Sequence, residues 1–138
     1  QAADKEGGRL MQWGVVLMVA LGGALGSLAR YFVAGAVQPA WWPGFPFGIF
    51  VVNVTGGRMM GLIAGLAALK LNLTPEMRAF LTTGVLGGYT TFSTFSLDSA
   101  MLMERGAYAQ AGAYITGSVV LSILALFAGL WLVRAVYA

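Results

Sequence analysis

The chain has 138 residues, of which 59% are hydrophobic and 9% charged, with a mean hydropathy of +0.80. Soluble domains carry about 25% charged residues, so this composition belongs to an integral membrane protein. There is no Cys and no His, which excludes disulfide and thiolate chemistry and the usual haem and zinc ligands; the net charge of +3 reflects scarce acids, not a basic patch for nucleic acid.

Residues 1–10 are polar and carry Asp4, Lys5, Glu6 and Arg9. They read as a polar tail, a processed or appended end, ahead of a single membrane domain over 11–138. Four apolar segments of spanning length follow, since a span needs roughly 20 residues. They run over 11–37, 45–71, 77–103 and 107–137. The first continues well past the apolar core of a cleavable signal and reads as a retained helix. The expected fold is an all-α integral membrane four-helix protein with a broken third transmembrane helix.

The connections are short. Gln38 to Pro46 is rich in Pro and aromatic residues; prolines end helices, and Trp41 and Trp42 suit the headgroup level. Thr74-Pro75-Glu76 predicts a helix start, with Thr74 as N-cap and Pro75 at the first helical position. Glu104-Arg105-Gly106 is a charged turn. Lys5, Arg9, Lys70, Arg78 and Arg134 fall on the side of the termini, against Arg105 and Arg30 on the other. That favours termini inside; without the tail the bias is three against two, weak enough to permit insertion in both orientations.

The third span holds the most informative run, Gly84-Val85-Leu86-Gly87-Gly88-Tyr89-Thr90-Thr91-Phe92-Ser93-Thr94-Phe95-Ser96. Irregular backbone at membrane depth is tolerated only where protein or a polar cavity replaces lipid. Each glycine weakens a helix by about 1 kcal/mol relative to Ala. The adjacent Gly87 and Gly88 therefore predict a break whose freed carbonyls can bind a cation or water. Elsewhere, Gly22 and Gly26, then Gly57, Gly61 and Gly65, follow a four-residue spacing that serves close helix packing.

Other polar residues sit inside the spans. Asn53 reads equally as an interhelical hydrogen bond and as a pore-lining donor. Tyr114, Ser118 and Ser122 are spaced i, i+4, i+8, which puts three hydroxyls on one helix face. Phe92 and Phe95 share a face; the bland reading is ordinary packing, but their positive ring edges can touch a small anion without trapping it. Arg30 can snorkel or help collect anions. Asp98 lies at the end of the third span or in a vestibule. Arg58 lies mid-span, where a centred Arg costs at least ~2.5 kcal/mol, and must face protein or water.

The run Gly87 to Ser96 resembles the signature of the CrcB/Fluc family of small fluoride channels. The segment Gly22-Gly23-Ala24-Leu25-Gly26-Ser27-Leu28-Ala29-Arg30, the pair Val52-Asn53 and the Tyr114, Ser118, Ser122 series agree in order and spacing, over nearly the whole chain after residue 13. The resemblance implies an antiparallel homodimer in a bacterial inner membrane, inserted in both orientations, with two fluoride pores. It implies a structural sodium ion at the dimer centre, held by the carbonyls of Gly87 and Thr90, and no organic cofactor. It assigns Phe92 and Phe95 to the pore wall, Asn53 to a pore-lining amide, and Tyr114, Ser118 and Ser122 to a polar track. Asp98 stands where related members often carry Glu, and Arg58 where the residue is usually small, apolar or aromatic.

The expected function is passive, fluoride-selective export that prevents fluoride toxicity. The alternative is a proton-coupled four-span exporter, for which only Asp98 could serve as the intramembrane titratable group. A non-transporting assembly subunit is a third class. No enzymatic constellation can be built from a chain without His or Cys and with five acids.

Overall fold

The computed structural model describes residues 2–69 and 72–137. The expected end of the second span at 71, together with Lys70, lies outside the described residues. Among the described residues the fold is all helical. Helix α1 spans Ala2–Ala36 and α2 spans Phe47–Leu69. The third span is built from four pieces: α3 (Pro75–Arg78), a π-wound stretch π1 (Ala79–Leu86), α4 (Gly87–Tyr89) and α5 (Phe92–Glu104). Helix α6 spans Tyr108–Tyr137.

Three of these are long and apolar enough to cross a membrane, over Gly7–Ala36, Phe47–Leu69 and Tyr108–Tyr137, with mean hydropathies of 1.7, 1.5 and 2.3. The third span has the length but not the continuity. Helix α1 begins at Ala2, so helical backbone runs through the polar segment as well.

The starts and stops follow local chemistry. Thr74 is extended at its N-cap position and its Oγ1 accepts from the Met77 N–H at 3.2 Å, with Pro75 behind it, as the sequence predicts. At the end of α5, Gly106 takes a positive φ of 73°. Its N–H bonds Met103 O and the Ala107 N–H bonds Leu102 O, each at 2.9 Å, the paired closure that favours glycine there. Across the membrane face, Gly44 (φ 81°) lets its loop reach Arg105, whose Nη2 donates to Gly44 O at 3.3 Å. Trp41 is 73% exposed, while Trp42 stacks on Phe45 at 4.5 Å.

Packing divides the bundle into two pairs: α2 along α6, and α1 along π1 and α4. Glycines set both seams. On one, a Cβ at Gly57 would meet Ser122 O at 2.6 Å and one at Gly61 would collide with Leu126 O. On the other, a Cβ at Gly22 would meet Phe80 O at 2.5 Å and one at Gly26 would collide with Val85 O. Backbones approach this closely in lipid because association there depends on van der Waals contact, not on the hydrophobic effect. The large apolar side chains of α1 (Leu21, Leu25, Leu28, Phe32) and α6 (Leu124, Phe127, Trp131) remain exposed, as suits a surface solvated by acyl chains.

The break differs from the sequence expectation. Gly87 and Gly88 are helical, with Gly87 at φ −63°, ψ −38°, and the chain leaves the helix only at Thr90 and Thr91. Gly88 is required for contact instead, since a Cβ there would lie 2.6 Å from Gly23 O. Gly87 has no such neighbour, its nearest atom being Thr82 O at 3.6 Å. Gly88→Ala is therefore expected to cost about 1–3 kcal/mol through overpacking. Gly87→Ala should be neutral or stabilising by up to about 1 kcal/mol. Thermal unfolding of the two purified variants in detergent checks this; equal melting temperatures would contradict the packing assignment.

Candidate ion pathway

The third span stops at Thr90 because the backbone turns extended there, with φ −77°, ψ 160° at Thr90 and φ −153°, ψ 126° at Thr91. Thr91 then caps α5, its Oγ1 accepting from the Thr94 N–H at 3.2 Å. A break at membrane depth exposes polar backbone that water cannot satisfy. Asn53 and Arg30 do so instead, and the Thr90 hydroxyl adds a bond to a carbonyl that already accepts the Thr90 N–H. Asn53 on α2 makes a reciprocal pair with Thr91: its Nδ2 donates to Thr91 O at 3.1 Å and its Oδ1 accepts the Thr91 N–H at 2.9 Å. Arg30 on α1 donates from Nη1 to Thr90 O at 3.0 Å. The Thr90 hydroxyl bonds Leu86 O at 3.0 Å.

Arg30 thus points into the break and does not snorkel to the membrane face. Asn53 makes the interhelical bonds of one reading and also lines a groove, as the other requires. The Thr91 N–H, which in an unbroken helix would close on Gly87 O, goes to Asn53. The Gly87 carbonyl is left without that donor, while the Thr90 carbonyl holds a guanidinium.

Beside the break lies an open groove of about 390 Å³, walled by α2 (Asn53, Gly56, Met60), the break itself (Thr90, Thr91) and α6 (Ser118, Ser122). Phe92 and Phe95 also line it, their ring centroids 5.5 Å apart. They differ in placement: Phe95 is 9% exposed, Phe92 is 77% exposed. The Ser118 and Ser122 hydroxyls are buried without a hydrogen-bond partner among the described residues. Unmade hydrogen bonds are costly in a medium of low dielectric, so each hydroxyl keeps an unused donor that gains from any partner reaching it. Asn53 keeps a second Nδ2 hydrogen beyond the one given to Thr91.

Tyr114 begins the hydroxyl series but does not line the groove. It is fully buried between Phe45 and Phe95, and its hydroxyl donates to Asp98 Oδ2 at 3.1 Å. Asp98 likewise stands outside the groove. Arg58 is exposed on α2 and lines neither this groove nor the second cavity of the fold. Thr91 is the residue that sequence reading passed over; a hydroxyl residue immediately before the helical run from Phe92, three positions after Gly88, is the N-cap signal that marks it.

The fold and this groove define a multi-pass, all-α membrane protein with a broken span beside a mainly apolar groove that carries a few polar side chains. The family described as "CrcB-like protein, Camphor Resistance (CrcB)" matches residues 17–130, and the chain belongs to it. It is 53% identical over 124 residues to fluoride-specific ion channel FluC 1 of Nitrobacter hamburgensis, covering 90% of this chain and 98% of that one. It is 52% identical over 126 residues to fluoride-specific ion channel FluC of Nitrobacter winogradskyi, covering 91% and 100%. A third relative, of the same name, from Rhizobium meliloti is 52% identical over 120 residues, covering 87% and 96%. These relatives are named as ion channels, not as enzymes.

Removing the Asn53 amide would leave both polar groups of Thr91 unpaired. Asn53→Ala is expected to lower stability by about 2–6 kcal/mol, from two unsatisfied backbone groups at about 1–3 kcal/mol each. Unfolding in detergent measures it, and a loss below about 0.5 kcal/mol would mean that the break does not depend on Asn53.

Proposed function

We propose that this chain is a passive, fluoride-selective channel that exports fluoride across the membrane. The observation that carries the reading is the groove beside the broken span, lined by Asn53, Phe92, Phe95, Ser118 and Ser122, in which the two serine hydroxyls have no hydrogen-bond partner among the described residues. Fluoride is small and strongly hydrated, so a path for it must replace water with many short-range donors. The two hydroxyls, the spare Asn53 hydrogen and the positive ring edges supply such donors. None is a full charge, which keeps binding weak enough for conduction. The relatives' names point to the same ion. Hydrogen fluoride enters cells as a neutral weak acid and dissociates at neutral pH, so a passive exit is sufficient.

The working unit is an antiparallel homodimer in a bacterial inner membrane. The groove is open on one side and Phe92 projects from its rim; a second copy would close it and shield its few polar groups and the broken backbone from acyl chains. A structural sodium ion at the dimer centre would take the Gly87 and Thr90 carbonyls of each copy. The freed Gly87 carbonyl suits it directly. The Thr90 carbonyl can contribute through its second lone pair, with Arg30 on the first.

Purified protein in liposomes should release fluoride rapidly and chloride negligibly at matched gradients, without a pH gradient. A flux that requires a pH gradient and is lost in Asp98→Asn would instead mean a proton-coupled exporter. Within a conducting protein, Phe92→Ile and Phe95→Ile should each cut fluoride flux at least about tenfold, a barrier increase of about 1.4 kcal/mol, with the oligomer unchanged on size-exclusion chromatography. Wild-type flux in both would remove the ring-edge argument. Exchanging sodium for a bulky organic cation should weaken the dimer; a dimer indifferent to sodium would remove the ion from the assembly.

A further inference from the structure

A second cavity, of about 310 Å³, lies between the C-terminal half of α2 and the start of the third span. Its walls are Ile63, Ala64, Ala67 and Ala68 on one side, and Thr82 and Arg78 on the other. It follows the ion groove along the same seam. Met60 and Leu86 line the first. Ile63 and Ala64 lie one turn further along α2, and Thr82 and Arg78 lie successively back along the third span. Arg78 stands at the outer end, its side chain exposed. Its carbonyl accepts from Thr82 Oγ1 at 2.8 Å, but its guanidinium has no hydrogen bond or ion pair among the described residues. Glu76, two positions earlier, does not neutralise it.

We propose that Arg78 and the alanine-walled cavity beside it form an anion-gathering mouth for the groove, drawing small inorganic anions from solution toward Met60 and Leu86. This deepens the fluoride-channel reading and rests on it. A single sign of charge in a cleft with low-dielectric walls focuses the field and raises the local concentration of counter-ions. Ala64, Ala67 and Ala68 provide such walls without filling the cleft. The guanidinium sits at the outer end and not in the narrow part, so it attracts ions without holding them along the path. Arg134 lies on the same membrane side and lines neither cavity, so its charge belongs to the general surface.

The test is initial fluoride efflux from phosphatidylcholine liposomes at low ionic strength and at high, set with a salt of a large impermeant anion. The screening length falls from about 30 Å at 0.01 M to about 3 Å at 1 M. Arg78→Gln should lose about threefold or more of the flux at low ionic strength and match wild type at high. Arg78→Lys should restore the low-salt flux, and Arg134→Gln should behave as wild type. Several outcomes overturn the proposal: equal flux for Arg78→Gln and wild type at low salt, a deficit that salt does not relieve, or the same loss from Arg134→Gln. A deficit confined to vesicles containing phosphatidylglycerol would also overturn it, since Arg78 would then hold a lipid headgroup phosphate. Absence of fluoride flux in wild type itself is a separate result, which removes the channel reading and this inference with it.

Discussion

The reciprocal hydrogen-bond pair between Asn53 and Thr91 is the interaction on which the rest of the structure depends. A helix interrupted inside a membrane leaves backbone donors and acceptors without water, and each unmade bond costs several kcal/mol in hydrocarbon. One amide side chain satisfies both polar groups of Thr91 at 2.9 and 3.1 Å, and this lets α5 start afresh with Thr91 as its cap. The new start turns Phe92 and Phe95 toward the groove. The same bond fixes α2 against the break, so the seam between α2 and α6, with Ser118 and Ser122 on it, falls beside the phenylalanines.

Much of this architecture is legible in the sequence. The four spans follow from hydropathy, and the start of α3 follows from Thr74 and Pro75, because both signals act locally. The glycine spacing reads correctly as close packing, with Gly22, Gly26, Gly57 and Gly61 meeting backbone on the facing helix. The position of the break does not read correctly, for a physical reason. Helix propensity points at Gly87 and Gly88, yet α1 packs so closely on Gly88 that tertiary contact outweighs the intrinsic cost of glycine in a helix. The chain yields instead where Asn53 and Arg30 offer replacement partners, and neither lies near Thr90 or Thr91 in sequence.

The hydroxyl series shows the same limit. Periodicity correctly places Tyr114, Ser118 and Ser122 along one face of α6, but it does not tell that the first is taken. Tyr114 is held by Asp98 and enclosed by Phe45 and Phe95, while the hydroxyls of the two serines, one and two turns further, are buried and have no hydrogen-bond partner among the described residues. Their difference lies in what packs opposite: aromatic rings and a carboxylate at one level, and Gly57, which brings the α2 backbone close to Ser122 O, at the other.

Arg30 places a full positive charge at the level of the break, and its position makes that charge compatible with the proposed conduction. It does not line the groove, and its Nη1 is committed to the Thr90 carbonyl at 3.0 Å. On the channel reading, its field reaches an anion in the groove through the polarised Thr90 carbonyl, from a guanidinium that lies outside the groove lining. A charge in direct contact would hold a small anion by many kcal/mol in a low-dielectric setting; a charge one peptide group away lowers the cost of bringing an anion to mid-membrane and leaves it free to move on. In the proposed channel, direct contact would fall to neutral donors, the serine hydroxyls and the Asn53 amide, so attraction and ligation would belong to different residues.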